Sequence, residues 1–243
     1  MAINVDLVYK TVLLILNQQQ RGYITPDEFN KVSTQVQLGI FERYMSDLNQ
    51  QLRIPENDSE YGNRVKNIQE KIDIFKRIGT AAYAAPYFLL ETAAVPPSVD
   101  NVPFPDFYRL GSVIYNDYIE AQMIERNEWY LIKKSPLIAP TVAQPVFLYE
   151  DNKIHLQPES ITTKVQVSYI KKPVDVQWGY SVVQPLGQFI YNPATSINFE
   201  LHVSEQVSVI TGILLYSGVI IQDPTIIQVA SQQVQQEENN EKS

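Results

Sequence analysis

The chain has 243 residues, of which 44% are hydrophobic and 19% charged, a composition typical of folded globular proteins. It contains no cysteine, which excludes disulfides, thiolate nucleophiles and cysteine-ligated zinc. The formal net charge of -8 argues against sequence-independent binding of nucleic acid, because such binding needs clustered Lys and Arg. The densest basic spots are Lys133–Lys134 and Lys171–Lys172, and solvated strand or loop ends are the favoured interpretation of both pairs.

The first third of the chain is predicted to be helical. Asn4 can cap a first helix whose apolar residues recur at helical spacing: Val5, Val8, Val12 and Leu16. A second helix begins at Thr25 and continues with an apolar residue every three or four positions: Phe29, Val32, Val36, Ile40, Tyr44 and Leu48. Asn57, followed three residues later by Glu60, has the spacing of a capping box and predicts the start of a third helix.

The stretch "RGYITPDEFN" is similar to the second half of a calcium-binding loop. Aligning Gly22 with the sixth position of an EF-hand loop places Glu28 at the twelfth, where the motif has its bidentate glutamate. Three further ligand positions then lack a carboxylate: Asn17, Gln19 and Arg21. Calcium binding is therefore disfavoured. The better interpretation is a helix start, in which the Thr25 hydroxyl and the Glu28 carboxylate each accept from the other's backbone amide.

The middle of the chain is predicted to be extended. From residue 79 onward it is apolar, aromatic and interrupted by prolines, which favours strands over helices. The clearest strands are "PVFLY" and "KIHLQP" around the turn "EDN", followed by "KVQVSYIKKP". In the last of these, Val165, Val167 and Tyr169 share one face. We expect a small antiparallel meander.

The last quarter is predicted to return to helix. Ser204 is the expected cap of a helix that Gly218 ends, and Asp223 with Pro224 starts another. The apolar residues 207–221 are too few to cross a bilayer and are interpreted as a buried helix, and no cleavable signal is visible. The final "QQVQQEENNEKS" is polar and predicted to be disordered without a partner.

Together these elements predict an α+β fold with N-terminal helices, a small antiparallel β domain in the middle, and C-terminal helices with an extended polar tail. The expected organisation has four parts: a helical region at residues 1–78, a proline- and aromatic-rich antiparallel β region at 79–195, C-terminal helices at 196–231 and a flexible tail at 232–243.

The sequence predicts no catalytic site. His155 and His202 stand outside any nucleophile motif, so structural roles are favoured for both. The acidic pair Asp27–Glu28 does not face one site, because neighbours on a helix point about 100° apart, and the pair Glu150–Asp151 falls in a hairpin turn. Motifs for phosphate loops, dinucleotide binding and zinc proteases are missing from the sequence. We therefore expect no enzyme, no cofactor and no metal.

The chain is rich in residues that suit protein interfaces. It has fifteen tyrosines and nine phenylalanines, many of them in the short segments "YAAPYF", "FPDFYRL", "NEWYLI" and "QWGYSVV". Such rings provide rigid contact surface at low entropic cost. Long loops of this kind are uncommon in a compact monomer, whereas in a ring they can form contacts between subunits.

Four parts of the sequence carry a family resemblance: "INVDLVYKTVLLILNQQQRGYITPDEFN", "IERNEWYLIKKSPLIAPTVAQPVFLYEDNKIHLQP", "VSYIKKPVDVQWGY" and the C-terminal "FELHVSEQ" with "GVIIQDPTIIQVA". They resemble virion structural proteins of crAss-like bacteriophages, and in particular their head-to-tail connector ring protein beneath the portal. The order of prolines, tyrosines, turn and strands in residues 145–173 is also similar to connectors and adaptors of other tailed phages.

This resemblance implies a homo-oligomer in the form of a dodecameric ring. The ring would bind the portal protein on one side and other tail ring proteins on the other, with DNA passing through the lumen without specific binding and no membrane contact. It also implies a place in the virion neck or tail, assembly in the bacterial host cytoplasm, and hosts among Bacteroidetes-type gut bacteria. The alternatives are a tail-tube or tail-hub subunit and, in a different class, a phage-encoded peptidoglycan hydrolase, which would need a glutamate and a histidine to converge.

Overall fold

The structure is a computed structural model, and it describes residues 2–18, 23–51, 61–90, 106–183, 187–221, 228–229 and 231–236. The chain divides into two compact units. Residues 1–74 and 173–243 form the first, here called the helical unit, and residues 75–172 form the second, here called the sheet unit. The helical unit therefore contains both ends of the chain, and the sheet unit is inserted between them.

The elements follow one another in this order. The helices are α1 (Val5–Gln18), α2 (Pro26–Gln51), α3 (Tyr61–Asp73), α4 (Arg126–Lys134) and α5 (Gln206–Ile221). The strands are β1 (Lys76–Thr80), β2 (Ala82–Ala84), β3 (Tyr87–Leu89), β4 (Phe107–Tyr115), β5 (Ile119–Met123), β6 (Val146–Glu150), β7 (Lys153–Gln157), β8 (Val165–Lys171), β9 (Tyr180–Val183) and β10 (Gln188–Tyr191).

The first helix begins where the sequence predicts it. The side-chain oxygen of Asn4 accepts hydrogen bonds from the amides of Asp6 and Leu7, at 2.9 and 3.1 Å. These bonds satisfy amides that a helix start would otherwise leave unpaired. The predicted apolar face is buried almost completely: Val5, Val8, Val12 and Leu16.

The second helix is also confirmed, and its apolar face contributes to the core of the helical unit. Five of the predicted residues on that face are buried, namely Phe29, Val32, Val36, Ile40 and Tyr44, and the sixth, Leu48, is half-buried. Gly212 of α5 lies against Val36 so closely that a Cβ built there would be 2.9 Å from Cγ1. A glycine at this position therefore allows α2 and α5 to approach each other.

The described strands of the sheet unit form an eight-stranded sheet in the order β1-β8-β4-β5-β6-β7-β3-β2. The two outermost strands, β1 and β2, are separated by Ala81 alone, so the sheet must curl until its ends meet in a nearly closed barrel. Its core is formed by inward-facing residues of the strands and loops: Ala81, Phe88, Leu90, Val113, Ala121, Phe147, Ile154, Leu156, Ile161, Val165, Val167 and Tyr169.

The prediction of a small antiparallel β domain between helical ends is wrong. The sheet is larger than expected and mixed, because β5 and β6 pair in parallel while the other pairs are antiparallel. Parallel neighbours need a crossover connection, and α4 supplies it. The sequence did not predict α4, whose nine residues include none that is buried. The strand β1 was missed because "KRIGT" lacks the alternation of apolar and polar residues that marks a strand.

The C-terminal part of the predicted fold also needs correction. His202, and not Ser204, caps the 3-10 turn Val203–Glu205 that leads into α5, because its ring nitrogen accepts from the Ser204 amide. The helix α5 continues past Gly218 to Ile221. Residues 231–236 are helical, so an extended tail is wrong there. Four of these six residues are Gln, which is a good helix former. The predicted helix starts at Asn57 and Asp223 lie outside the described residues.

Candidate interaction site

The calcium-like stretch forms a capping box. The Glu28 carboxylate accepts hydrogen bonds from the backbone amide and the hydroxyl of Thr25, at 2.9 and 2.7 Å. The Thr25 hydroxyl in turn accepts from the Glu28 amide at 3.4 Å. The bonds from Thr25 hold the pKa of the Glu28 carboxyl below its usual value. The predicted helix start is confirmed, and the carboxylate proposed as the main calcium ligand is already occupied.

The other acidic and histidine side chains take structural positions. His155 on β7 contacts the rings of Tyr87 and Trp129, with centroids 5.8 and 6.5 Å away. The carboxylate of Glu150 binds the guanidinium of Arg126, which fastens the start of α4 to β6. Among the described residues, no group of three or more His, Cys, Asp or Glu side chains could hold a metal, and no helix combines the length and apolar character needed to cross a bilayer.

The two lysine pairs lie at the ends of two different elements. Lys133 and Lys134 form the last residues of α4, where positive charge suits the helix dipole, and Lys133 is paired with Glu159 at 2.7 Å. Lys171 ends β8 and is buried, whereas Lys172 is exposed. The predicted solvated ends are therefore correct for three of the four residues, and Lys171 is the exception.

A polar stripe on α2 holds an extended segment of the chain, residues 174–178. Asn30 binds the backbone of Trp178, the Thr34 hydroxyl accepts from the Val176 amide at 3.2 Å, and the Gln37 side chain donates to the Val174 carbonyl at 2.7 Å. Gln37 is fully buried, and its oxygen also accepts from the Glu200 amide at 2.9 Å. These side chains satisfy the backbone of a segment that lies outside any sheet.

Trp178, at the end of this segment, organises a cluster of aromatic rings. Its ring lies 4.4 Å from that of Tyr9 and 5.6 Å from that of Tyr191, measured between centroids, and its Nε1 donates to Asp6 at 3.1 Å. Tyr9 also contacts Phe29 at 4.7 Å, and burial raises the pKa of the Tyr9 hydroxyl. The cluster therefore connects α1 and α2 to the base of β9 and β10.

The strands β9 and β10 form a separate two-stranded element, here called the ribbon, which spans residues 180–191. It does not belong to the eight-stranded sheet. The ribbon has no charged residue, and most of its described residues are exposed, including Val182 and Ile190. An isolated hairpin is at best marginally stable in water. The aromatic contacts at its base therefore stabilise it from one end, while both of its strands remain open to contact.

One face of the ribbon borders an open cavity of about 500 Å³, here called the aromatic cleft. Direct pairing of Val182 with Phe189 and of Tyr180 with Tyr191 places these side chains on the same face. The residues that line the cleft come from α1, its following loop, the end of the extended segment and the ribbon: Tyr9, Lys10, Leu13, Tyr23, Trp178, Gly187, Gln188 and Phe189. Half of these residues are aromatic, which suits an apolar occupant.

The sheet unit presents a second exposed apolar surface, here called the proline turn, at residues 135–145. The side chain of Leu137 is 93% exposed, and Ile138 and Val142 are also exposed. The segment is ordered by its own hydrogen bonds. Thr141 and Gln144 exchange two backbone bonds of 3.3 and 3.0 Å. Like the ribbon, "SPLIAPTVAQP" contains no charged residue. The adjacent end of α4 adds Leu131, which is 71% exposed.

No protein-family model matches this chain, and no curated protein is significantly similar to it. The assignment of function therefore depends on the residues and the geometry of the chain itself.

The aromatic segments that the sequence marks as interface material divide into two groups. Tyr130 of "NEWYLI" and Val182 of "QWGYSVV" are exposed. In contrast, Phe88 of "YAAPYF" is buried in the barrel core, and Phe107 of "FPDFYRL" packs against it. Composition alone could not separate the groups, because alternation along a strand places neighbouring residues on opposite faces. The cleft itself was not predicted, since its walls come from segments more than 150 residues apart.

Proposed function

We propose that the chain is a virion structural protein that forms a ring of a phage head-to-tail connector beneath the portal. The proposal is supported by the four sequence segments that resemble connector ring proteins of crAss-like bacteriophages. In this role the ring provides a channel for the genome, the portal lies on one side, and further tail rings lie on the other. The place of the protein is the neck or tail of the virion, after assembly in the host cytoplasm.

The observation that best supports a ring subunit is the presence of two different exposed apolar surfaces. The ribbon with the aromatic cleft belongs to the helical unit, and the proline turn belongs to the sheet unit. A ring is built from heterologous contacts, in which one surface of a subunit meets a different surface of its neighbour. Exposed apolar patches are also typical of protein interaction sites.

The charge of the chain suits a channel for DNA. Twelve copies at -8 each carry a formal charge of -96. A wall with a net negative or neutral charge repels the phosphate backbone, whereas a basic wall would hold DNA through counterion release. We therefore expect the residues that face the lumen to be net acidic or neutral.

Native mass spectrometry and electron microscopy of the purified chain, with and without the portal protein, test this function. We expect a ring, or a complex with the portal that contains many copies of the chain. A chain that remains monomeric at high concentration and does not bind the portal contradicts the proposal. Electron microscopy of particles labelled on this protein distinguishes a neck ring from a tail-tube or tail-hub subunit. Zymography on purified protein tests the remaining alternative, a peptidoglycan hydrolase.

A further inference from the structure

We propose that one end of the sheet unit binds an acidic segment of a partner protein. This surface, here called the basic end, consists of residues 76–77 at the start of β1, 106–109 at the start of β4 and 170–172 at the end of β8. The three strands are neighbours in the sheet. The inference goes beyond the connector role, because it depends on the charge and register of this surface and holds whether or not the chain forms a ring.

The pairing of the strands brings two cations into one row. Lys76 of β1 and Arg109 of β4 both lie opposite Ile170 of β8, one on each side of it. Directly paired residues share a face of the sheet. That face is the outer one, because Ile170 alternates along β8 with the buried residues Tyr169 and Lys171. The backbone positions of the two cations are therefore about 10 Å apart, twice the spacing of neighbouring strands.

Positive charge is concentrated at the basic end. Of its nine residues, five belong to the 19 Lys and Arg of the whole chain: Lys76, Arg77, Arg109, Lys171 and Lys172. All of them except Lys171 are exposed. The one acidic residue of the basic end is Asp106, whose carboxylate accepts a hydrogen bond from the Tyr169 hydroxyl at 3.1 Å. The basic end therefore has a net positive charge within a chain of net charge -8, and it attracts anions.

Protection of an open sheet edge explains only part of this pattern. Charged residues on an edge strand discourage pairing with other chains, and β1 is an outermost strand, so Lys76 and Arg77 fit that role. Lys172 does not, since it follows β8, which is paired with β1 on one side and with β4 on the other. Within the described part of the chain, neither Lys172 nor Arg109 forms an ion pair. Their charges are available to a partner.

The composition of the basic end favours a protein partner over nucleic acid. A protein that binds DNA firmly makes about 6–10 phosphate contacts, more than the exposed cations of this surface supply. Apolar side chains also lie beside the cations: Tyr108 is 40% exposed, and Ile78, on the same face as Lys76, is 69% exposed. Arginine and tyrosine are enriched at protein interfaces. The net charge of the chain repels a long polyanion more than a short acidic segment.

Arg109 is the expected anchor of the contact. Its planar guanidinium can bind a carboxylate through two parallel hydrogen bonds. The exposed Lys172 adds a second positive charge at this end of the sheet, so a segment with several carboxylates is more complementary to the surface than a single anion. The chemistry of the partner is therefore that of a polypeptide segment rich in Asp or Glu.

A labelled synthetic peptide tests this inference. The probe alternates glutamate with serine, and fluorescence anisotropy at low ionic strength measures its binding to the full-length chain. The double variant Arg109→Gln, Lys172→Gln should bind the peptide about tenfold more weakly than the natural chain, the effect expected on losing two exposed ion pairs. The matched control is Lys134→Gln, Lys164→Gln, which removes two exposed positive charges elsewhere in the sheet unit. Both double variants have the same net charge, so a difference between them isolates the basic end.

Equal weakening by the two double variants would overturn the inference, because binding would then depend on overall charge. A peptide that alternates glutamine with serine and binds as tightly would overturn it as well, since the carboxylates would not be recognised. Failure of the glutamate peptide to bind the natural chain has the same consequence. If duplex DNA displaces the peptide at physiological salt, the partner is nucleic acid and the inference is wrong. Circular dichroism checks that each variant is folded, and the conservative variant Arg109→Lys, Lys172→Arg should retain most of the binding.

Discussion

Asn30 and Trp178 are joined by two hydrogen bonds across a separation of 148 residues. The Asn30 side-chain oxygen accepts from the Trp178 amide at 2.7 Å, and its nitrogen donates to the Trp178 carbonyl at 3.3 Å. Asn30 thereby takes the place of a strand neighbour on one edge of this extended backbone, while Gln177 pairs with Ile197 on the other. The pair also fixes the residue whose ring helps to line the aromatic cleft.

Replacing Asn30 by Ala should lower the free energy of unfolding by about 1–3 kcal/mol, because two partly buried backbone groups lose their partner. Asn30→Asp should have a smaller effect, since a carboxylate still accepts from the amide. Urea unfolding measures the stability. Fluorescence in a Trp129→Phe background, where Trp178 is the remaining tryptophan, reports the position of the ring. Equal stability of Asn30→Ala and the natural chain would show that the pair contributes nothing.

Two glycine-to-alanine substitutions in the helices should have opposite effects. At Gly39 of α2, a Cβ would meet no atom within 4 Å, so Gly39→Ala should stabilise by about 0.5–1 kcal/mol through helix propensity. At Gly212 of α5, the Cβ would be 2.9 Å from Val36, so Gly212→Ala should destabilise by about 1–3 kcal/mol through overpacking. Thermal and urea unfolding measure both. A stabilising Gly212→Ala would contradict the close packing of α2 on α5.

The capping box predicts how the start of α2 responds to mutation. Thr25→Ala should lower stability by about 1 kcal/mol, because the Glu28 amide and carboxylate both lose a partner. Calorimetry with millimolar calcium should show no binding, since Asn17, Gln19 and Arg21 offer no carboxylate. Saturable calcium binding that Glu28→Gln abolishes would contradict this prediction, as would an unchanged melting temperature for Thr25→Ala.

His155 should make stability depend on pH in the weakly acidic range. Burial, assisted by Arg126 and Lys153 against the opposing charge of Glu150, lowers the pKa of His155 below 6.5. The unfolded chain therefore binds this proton more readily than the folded chain. The contribution of neutral His155 to the free energy of unfolding is complete above about pH 6.5 and is lost as the pH falls below that value.

Urea unfolding between about pH 7 and pH 5.5 measures this effect. His155→Gln should show a smaller loss of stability over the interval than the natural chain, and NMR titration of the imidazole gives the pKa of His155 independently. Parallel stability profiles for the two proteins would rule out a contribution from His155.

The purified chain should not retain double-stranded DNA at physiological salt. Lys133 is neutralised by Glu159 and Lys171 is buried, so the two lysine pairs do not offer four accessible charges to phosphates. A gel-shift assay over a range of salt concentrations measures retention. A salt-sensitive shift that disappears on neutralising Lys133, Lys134, Lys171 and Lys172 would instead identify a DNA clamp.

Local features of the fold could be predicted from the sequence because the interactions that determine them are local. Asn4 and Thr25 bond to amides within three residues, so each helix start is visible in a short window. The hairpin between β6 and β7 was predictable for the same reason. Its turn residues, Asp151 and Asn152, both have positive φ, a conformation that Asp and Asn tolerate better than most residues.

The barrel and the cleft depend on pairings that no short window contains. The parallel register of β5 with β6 requires α4, and α4 shows no buried face that would mark it as a helix. Asn30, Thr34 and Gln37 look like the solvated side of α2 until residues 174–178 lie against them. The sequence therefore predicts the kinds of surface that this chain presents, but not which residues converge at the cleft.

The insertion of the sheet unit has a consequence for the order in which the protein folds during synthesis. The backbone of Lys171 donates to the carbonyl of Phe75 at 2.9 Å, so the first and last residues of the barrel meet. A continuous segment of this kind can close as soon as it has left the ribosome, since domains generally fold as units. The helices α1 and α2 emerge first, yet α5, against which both pack, is made last. The apolar faces of the N-terminal helices therefore stay exposed until α5 has been synthesised. A truncation that removes α5 would leave the sheet unit able to fold and the helical unit incomplete.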